Sequence, residues 1–489
     1  MPALSSTGLC RYTEIQHPTL ERIVSDELWS QSANKLAELI RQGEVSSVEV
    51  IESHLQRIEV VNPAVNAITV VLADSALEAA KQADERAGSN SLPLHGVPFT
   101  VKENIDCVGS ATTQGVATFE QALPPRDAPV VERMKAAGAI PIARTNLPEF
   151  GLRISTDNPL RGRTLNPWDA TRVAGGSSGG EGCALATGMT PIGLGNDIGG
   201  SLRNPAYCCG VIGLKPTTGR IPHVSSLPPE DSGLSSQIML VEGPMARRVE
   251  DVRLGYEILS GRDILDPNSV DAPLYGPGPT LKRVALVTEV PGVDLPDASI
   301  AAIRQAGRVL ADKGWQVEEV NPPELSKVTE VWGQILAMDI CVTAELIGPL
   351  MAPDSHEMLR ELVDKYRPGE LLLHLVHAER DRLSRLWSRF FVDYPIVLGP
   401  TWTDIPFLHD EDLQPGSGVD LTIDRIRFIT PANVLGIPAL ALPMGVSDGL
   451  PTGVQVYADR WREDLCLLGA EMIEAEVGSI CPIDPIAGA

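Results

Sequence analysis

Two glycine-rich, serine-bearing turns lie close together in this chain: Gly175-Gly176-Ser177-Ser178-Gly179-Gly180, then Asp197-Ile198-Gly199-Gly200-Ser201-Leu202-Arg203. Glycine admits positive φ and lets another group approach the main chain, so paired glycines beside serines can aim several backbone N–H groups at one oxygen. That is what acyl transfer needs: a hydroxyl to attack and donors to receive the oxygen that becomes negative. Flexible linkers share the composition, but linkers do not sit between apolar runs such as 183–186 and 211–214.

A serine hydroxyl is a weak nucleophile until a base takes its proton. Lys102 closes the short apolar segment Leu94–Asn104, between valine, phenylalanine and isoleucine. A strand-end lysine is ordinarily solvated, whereas burial here would depress its pKa. Bringing it from about 10.4 to neutrality takes about three units, or roughly 4 kcal/mol of desolvation.

The surrounding pattern alternates helix and strand. Leu36, Leu39 and Ile40 predict a helix over 32–41 stopped by Gly43, and Ser46 with Glu49 forms a capping box opening a second helix that ends before Pro63. A strand over 67–72 and a helix over 73–87 follow, so 1–90 reads as an irregular arm and helical cover. Helix 128–137, strand 140–143, the turn 145–151, helix 181–188, strand 190–194 and the apolar segment 211–214 continue the alternation. So do strand 284–288, helix 298–312 and strand 316–320. This is an α/β pattern, with 91–325 as the core carrying the turns. Residues 326–420 read as a mainly helical, aromatic-rich insertion. In 421–489, segments 431–443 and 453–457 return as strands before a helix over 462–473. Aromatics at helical spacing more often form core than a ligand wall.

The chain has 489 residues, 43% hydrophobic, with 40 Lys and Arg against 64 Asp and Glu, a net charge of −24. Such an acidic surface repels nucleic acid. The eight cysteines form no CxxC, and Cys208 and Cys209 read as small buried hydrophobes. His374 and His377 do not make a metal site, and no metal or organic cofactor is called for. No apolar run reaches the roughly 18 residues of a membrane span, so the expectation is a cytoplasmic enzyme without a membrane partner. Whether it forms a homo-oligomer is not readable.

Lys102 in Pro98-Phe99-Thr100-Val101-Lys102-Glu103-Asn104, the two serine turns, and Gly213-Leu214-Lys215-Pro216 together resemble the amidase signature family of serine hydrolases. So do Thr145–Gly151, Asn166-Pro167-Trp168, Pro431-Ala432-Asn433 and Gly436–Ala439, so the resemblance covers most of the chain. It implies a mixed central β-sheet sandwiched between helices, Ser201 as nucleophile, Ser177 as a bridging serine joined to Gly176 by a cis bond, and neutral Lys102 as final base. It implies an oxyanion hole from the N–H groups of Ile198, Gly199, Gly200 and Ser201, with Asp197 and Arg203 as a structural pair.

Three departures bear on this reading. Gly175–Gly179 also fits the GxSxG nucleophile elbow, which would require a downstream histidine. Asn204 follows Arg203 where subunits that generate ammonia for tRNA-bound glutamate carry glutamine, and Arg161 stands where relatives often carry an aromatic. The expected activity is hydrolysis of small, apolar or aryl amides, with anilides, esters or carbamates open to the same chemistry. The alternative is a glutaminase subunit of a tRNA-dependent amidotransferase. Gly151, Gly175, Gly176, Trp332, Met338 and Trp402 are the substrate-contact candidates.

Overall fold

The computed structural model describes residues 25–86, 92–227 and 231–486. Most of the expected N-terminal arm, and Cys10 with it, lies outside the described residues. Among the described residues eleven strands form one sheet: β1 Ile68–Val71, β2 Pro98–Lys102, β3 Ile140–Thr145, β4 Ile192–Asp197, β5 Ile212–Lys215, β6 Val241–Ala246, β7 Arg283–Leu286, β8 Gln316–Glu319, β9 Ile396–Pro400, β10 Ala439–Ser447 and β11 Leu450–Tyr457. Their order is β1-β3-β2-β4-β6-β5-β10-β11-β9-β7-β8. β2 runs parallel to β3 and β4, while β4–β6, β5–β6 and β5–β10 are antiparallel. The sheet is mixed, and two large apolar clusters lie against it. β2, β4 and β6 are buried along their whole length because both faces of the sheet are covered.

Local chemistry sets the early boundaries. Ser32 Oγ accepts the Lys35 N–H to start the helix Ala33–Gln42, and Gly43 ends it at φ 71°. The Ser46–Glu49 capping box forms, but the helix Ser47–Val65 continues past Pro63 to Asn66. Pro63 sits in the last turn with its missing donor one of the few losses there, so it does not stop the helix where the sequence suggests.

Three further differences are physical. The sequence pattern predicts no element over Val241–Ala246, where β6 pairs with β4 on one side and β5 on the other. The stretch 326–420 contains helices Leu325–Ile347, Pro353–Tyr366 and Leu373–Asp393 but also β9, an apolar run between β11 and β7. Pro431 does not open a strand: it opens the helix Thr430–Leu435, which Gly436 ends at φ 67° before β10.

Among the described residues one helix, extended to Leu325–Leu350, is long and apolar enough by length and composition to cross a bilayer, though Asp339 and Glu345 interrupt its apolar run; half of its most apolar window is buried in the protein. Val328, Trp332, Ile335 and Ile340 are buried members of a core cluster, so its apolarity has a packing use within the fold.

Candidate active site

The sheet brings the lysine and both serine turns together. β2 and β4 are neighbours in parallel register, Val101 opposite Leu194, so Lys102 at the end of β2 reaches the residues that leave β4. Lys102 is fully buried. Its Nζ lies 2.7 Å from Ser177 Oγ and donates to Asn196 Oδ1 at 2.7 Å. Burial pulls its pKa down to about 7, against the raising influence of Glu242, Asp197 and Glu181. Glu181 is itself buried and accepts from the Thr100 and Thr145 hydroxyls; burial pushes its carboxyl up to about 7.

The first turn is held tightly. The Gly176–Ser177 bond is cis. Gly176 N–H donates to Asn204 Oδ1 at 2.9 Å, so Asn204 supports the turn from behind. A Cβ on Gly175 would lie 2.8 Å from Pro205 Cα, and one on Gly176 2.5 Å from the Ile154 carbonyl carbon. Both glycines serve close backbone packing. Neither lines the cavity that Ser201 lines, unlike the substrate contacts the sequence suggests them to be.

In the second turn Asp197 is the organiser. Its carboxylate accepts Gly200 N–H at 2.8 Å and Leu202 N–H at 3.2 Å, and Arg203 meets both oxygens at 3.0 Å. Burial works to raise the Asp197 pKa, but the Arg203 charge and hydrogen bonds, with Asn433, pull it down to about 2. Gly200 has therefore spent its N–H inside the protein, which corrects its inclusion among the free donors. The N–H groups of Ile198, Gly199 and Ser201 donate to nothing among the described residues. Ser201 is almost buried, its carbonyl accepts the Ser178 N–H at 3.3 Å, and it lines the cavity. Its Oγ has no hydrogen-bond partner among the described residues, so the Ser177–Ser201 link is open in this state.

The cavity beside Ser201 has a mostly apolar lining, as small-molecule sites usually do. Ile198, Trp332, Leu336, Ile340, Leu359 and Ile426 make much of its wall, and Gly151, Gly199 and Ser201 also line it. Arg153 and Asp412 also line it but neutralise each other, Nε to Oδ2 at 2.9 Å and Nη2 to Oδ1 at 3.0 Å. Trp332 contributes twice: its ring lines the cavity, and its indole N–H donates to the Ile198 carbonyl at 2.9 Å.

Trp402 and Met338 do not line this cavity. Trp402 is packed edge-on against Phe407, centroids 5.7 Å apart, inside the core. Arg161 does not reach it either; its guanidinium pairs with buried Glu103 at 2.6 Å. No histidine hydrogen-bonds either serine among the described residues, which leaves the GxSxG elbow reading without its base. Cys208 and Cys209 are buried and their thiols pushed upward by burial, as inert core. The Arg153–Asp412 pair is not readable from the sequence, since its members are 259 residues apart.

Fold and site together define a hydrolase acting on amide C–N bonds. A family model described as Amidase matches residues 49–467, and the chain belongs to that family. It is 42% identical over 457 residues to an indoleacetamide hydrolase of Bradyrhizobium diazoefficiens, covering 92% of this chain and 87% of that protein. It is 32% identical to a glutamyl-tRNA(Gln) amidotransferase component of Salinispora tropica, covering 93% and 99%. A solved structure of 6-aminohexanoate cyclic dimer hydrolase complexed with substrate superposes with a TM-score of 0.80 at 30% identity, covering 92% of this chain and 98% of that one.

Proposed function

We propose that this chain hydrolyses small carboxamides with an apolar or aryl acyl group, indoleacetamide foremost, through an acyl-enzyme on Ser201. The observation that carries the reading is the buried Lys102 amine, poised near neutrality, 2.7 Å from Ser177 Oγ. A neutral amine that donates to Asn196 Oδ1 can turn its lone pair to the Ser177 hydroxyl. Ser201 Oγ attacks the amide carbon as its proton passes to Ser177 Oγ, and the Ser177 proton passes to Lys102. The oxyanion is met by the N–H groups of Ile198, Gly199 and Ser201, donors already oriented and not otherwise engaged. The same path runs in reverse to protonate the leaving nitrogen, ammonia departs, and water attacks the acyl-enzyme to release the acid and free Ser201.

An apolar acyl group fits the cavity wall. Glutamine fits poorly: its α-ammonium and carboxylate would enter a cavity whose two charged side chains already satisfy each other. This argues against the amidotransferase alternative, as does the 42% likeness to an indoleacetamide hydrolase.

The test is turnover of the purified chain on indoleacetamide, phenylacetamide, acetamide and glutamine. The aryl amides should lead in kcat/KM and glutamine should be ignored, and Ser201→Ala should lose at least about a thousandfold. A preference for glutamine, or full turnover by Ser201→Ala, overturns the reading.

A further inference from the structure

Behind the lysine, on the strand beyond its asparagine partner, the protein buries a carboxylate that the hydrolytic steps do not use. Asn196 stands opposite Glu242 in the antiparallel β4–β6 pair, so the two side chains share one face of the sheet as neighbours. Asn196 is also the group that receives the Lys102 amine. Glu242 is 4% exposed; His223 Nδ1 lies 2.8 Å from its Oε1, and its Oε2 has no partner among the described residues. A buried carboxylate oxygen left unpaired costs stability, and an apolar side chain would pack this strand without that cost.

The other carboxylates acting on Lys102 are otherwise committed. Asp197, at the end of β4, is bound by Arg203 and two backbone N–H groups. Glu181, in the helix Gly179–Ala186, takes the hydroxyls of Thr100 and Thr145. Among the charges that act on the lysine, Glu242 is the largest.

We propose that Glu242, held by His223, is a positioning residue for the lysine base: its carboxylate sets the pH at which Lys102 can take the Ser177 proton. The inference rests on the reading of Lys102 as that base. The sign follows from charge. A nearby carboxylate favours the ammonium form, which cannot accept a proton, so Glu242 moves the onset of activity to higher pH. His223 tempers this. Burial works against its charge, but the Glu242 hydrogen bond and charge, with Asp266 and Asp106, raise its pKa overall, and the imidazolium offsets the carboxylate. His223 keeps 26% of its side chain exposed, so it exchanges protons with solvent. The pair is thus a charge balance whose acid side is buried beside the site and whose basic side reaches water.

The experiment is the pH profile of kcat/KM on an aryl acetamide. Glu242→Gln should move the rising limb down by about one pH unit, several-fold more activity at the acid end. His223→Gln, which keeps the carboxylate and removes the cation, should move it up. A role in packing alone would lower kcat at every pH and leave the limb in place. If Glu242→Gln does not fold, the direction of the His223→Gln shift decides. A limb unmoved in the variants that fold, while Lys102→Met is inactive, overturns this inference and leaves the lysine reading standing. Full turnover by Lys102→Met removes both.

Discussion

Trp332 holds the loop that follows β4: its indole N–H donates to the Ile198 carbonyl at 2.9 Å, and a Cβ on Gly199 would lie 2.7 Å from its ring. A helix far along the chain thereby fixes the peptide planes whose N–H groups we assign to the oxyanion. Trp332→Phe keeps most of the wall but removes the donor. A hydrogen bond of this kind contributes about 1 kcal/mol, so kcat should fall roughly fivefold with KM little changed, read by steady-state kinetics on an aryl acetamide.

The Lys102 pKa, near 7 by burial, makes two measurable statements. As the neutral amine is the active form, kcat/KM should rise with pH through about 7 and then level. For stability, an unfolded lysine keeps its proton to about 10.4 while the folded one sheds it near neutrality. The unfolded state thus binds more protons between those values, and stability rises with pH across that window. Lys215, also fully buried, with its pKa lowered to about 7 by burial, adds to the same slope. Lys102→Met should abolish turnover yet leave the melting temperature at neutral pH undiminished, because it removes an amine whose burial is costly; calorimetry across pH checks both.

Much of this site is local in sequence, which is why it is legible there. Ser177, Ser201 and Lys102 each sit in a short motif whose glycines or apolar flanks carry the reason for the geometry. What joins separate segments is not legible: Arg153 meets Asp412, and His223 meets Glu242, only because the folded chain packs loops and turns against one another and against β6. Gly200 misleads because a glycine's freedom says nothing of whether its N–H is already taken, here by Asp197 three residues earlier. Trp402 misleads because aromatic content does not show which face of a segment meets the cavity. In the fold, helix and strand alternation carries over well, while β6 and the Pro431 helix escape the pattern where Gly and Pro carry opposite meanings at an element's start and in its middle.

Gly151 pairs a positive φ of 68° with a close approach: a Cβ there would stand 3.2 Å from Ser177 Oγ. Gly151→Ala therefore strains the turn and crowds the hydroxyl at once. Misplacing a relay group by a fraction of an ångström is expected to lower kcat about tenfold to a hundredfold. The effect should fall on kcat more than on KM, because the residue meets Ser177 as well as lining the cavity, and full kcat in this variant would argue against Ser177 as the bridge.

The Asp197–Arg203 pair is fully buried and bidentate, and its value differs with the partner removed. Arg203→Ala leaves an uncompensated buried carboxylate that also anchors the Gly200 and Leu202 N–H groups; such a loss costs about 3 to 5 kcal/mol. The acid limb of stability should move too. In the intact protein the Asp197 pKa is depressed to about 2, so its contribution is complete above the ordinary carboxylate range and fades as pH falls toward 2. Without Arg203 the largest pull holding that carboxyl down is gone, so the part of the acid fall in denaturant midpoints that Asp197 supplies should shrink. Replacing both residues by an apolar pair of similar volume removes the unpaired charge, so it should recover part of the stability while leaving the second turn unanchored and turnover low. Coincident loss of stability and turnover in the single variant, with only stability returning in the double one, separates the support of the fold from the support of the turn.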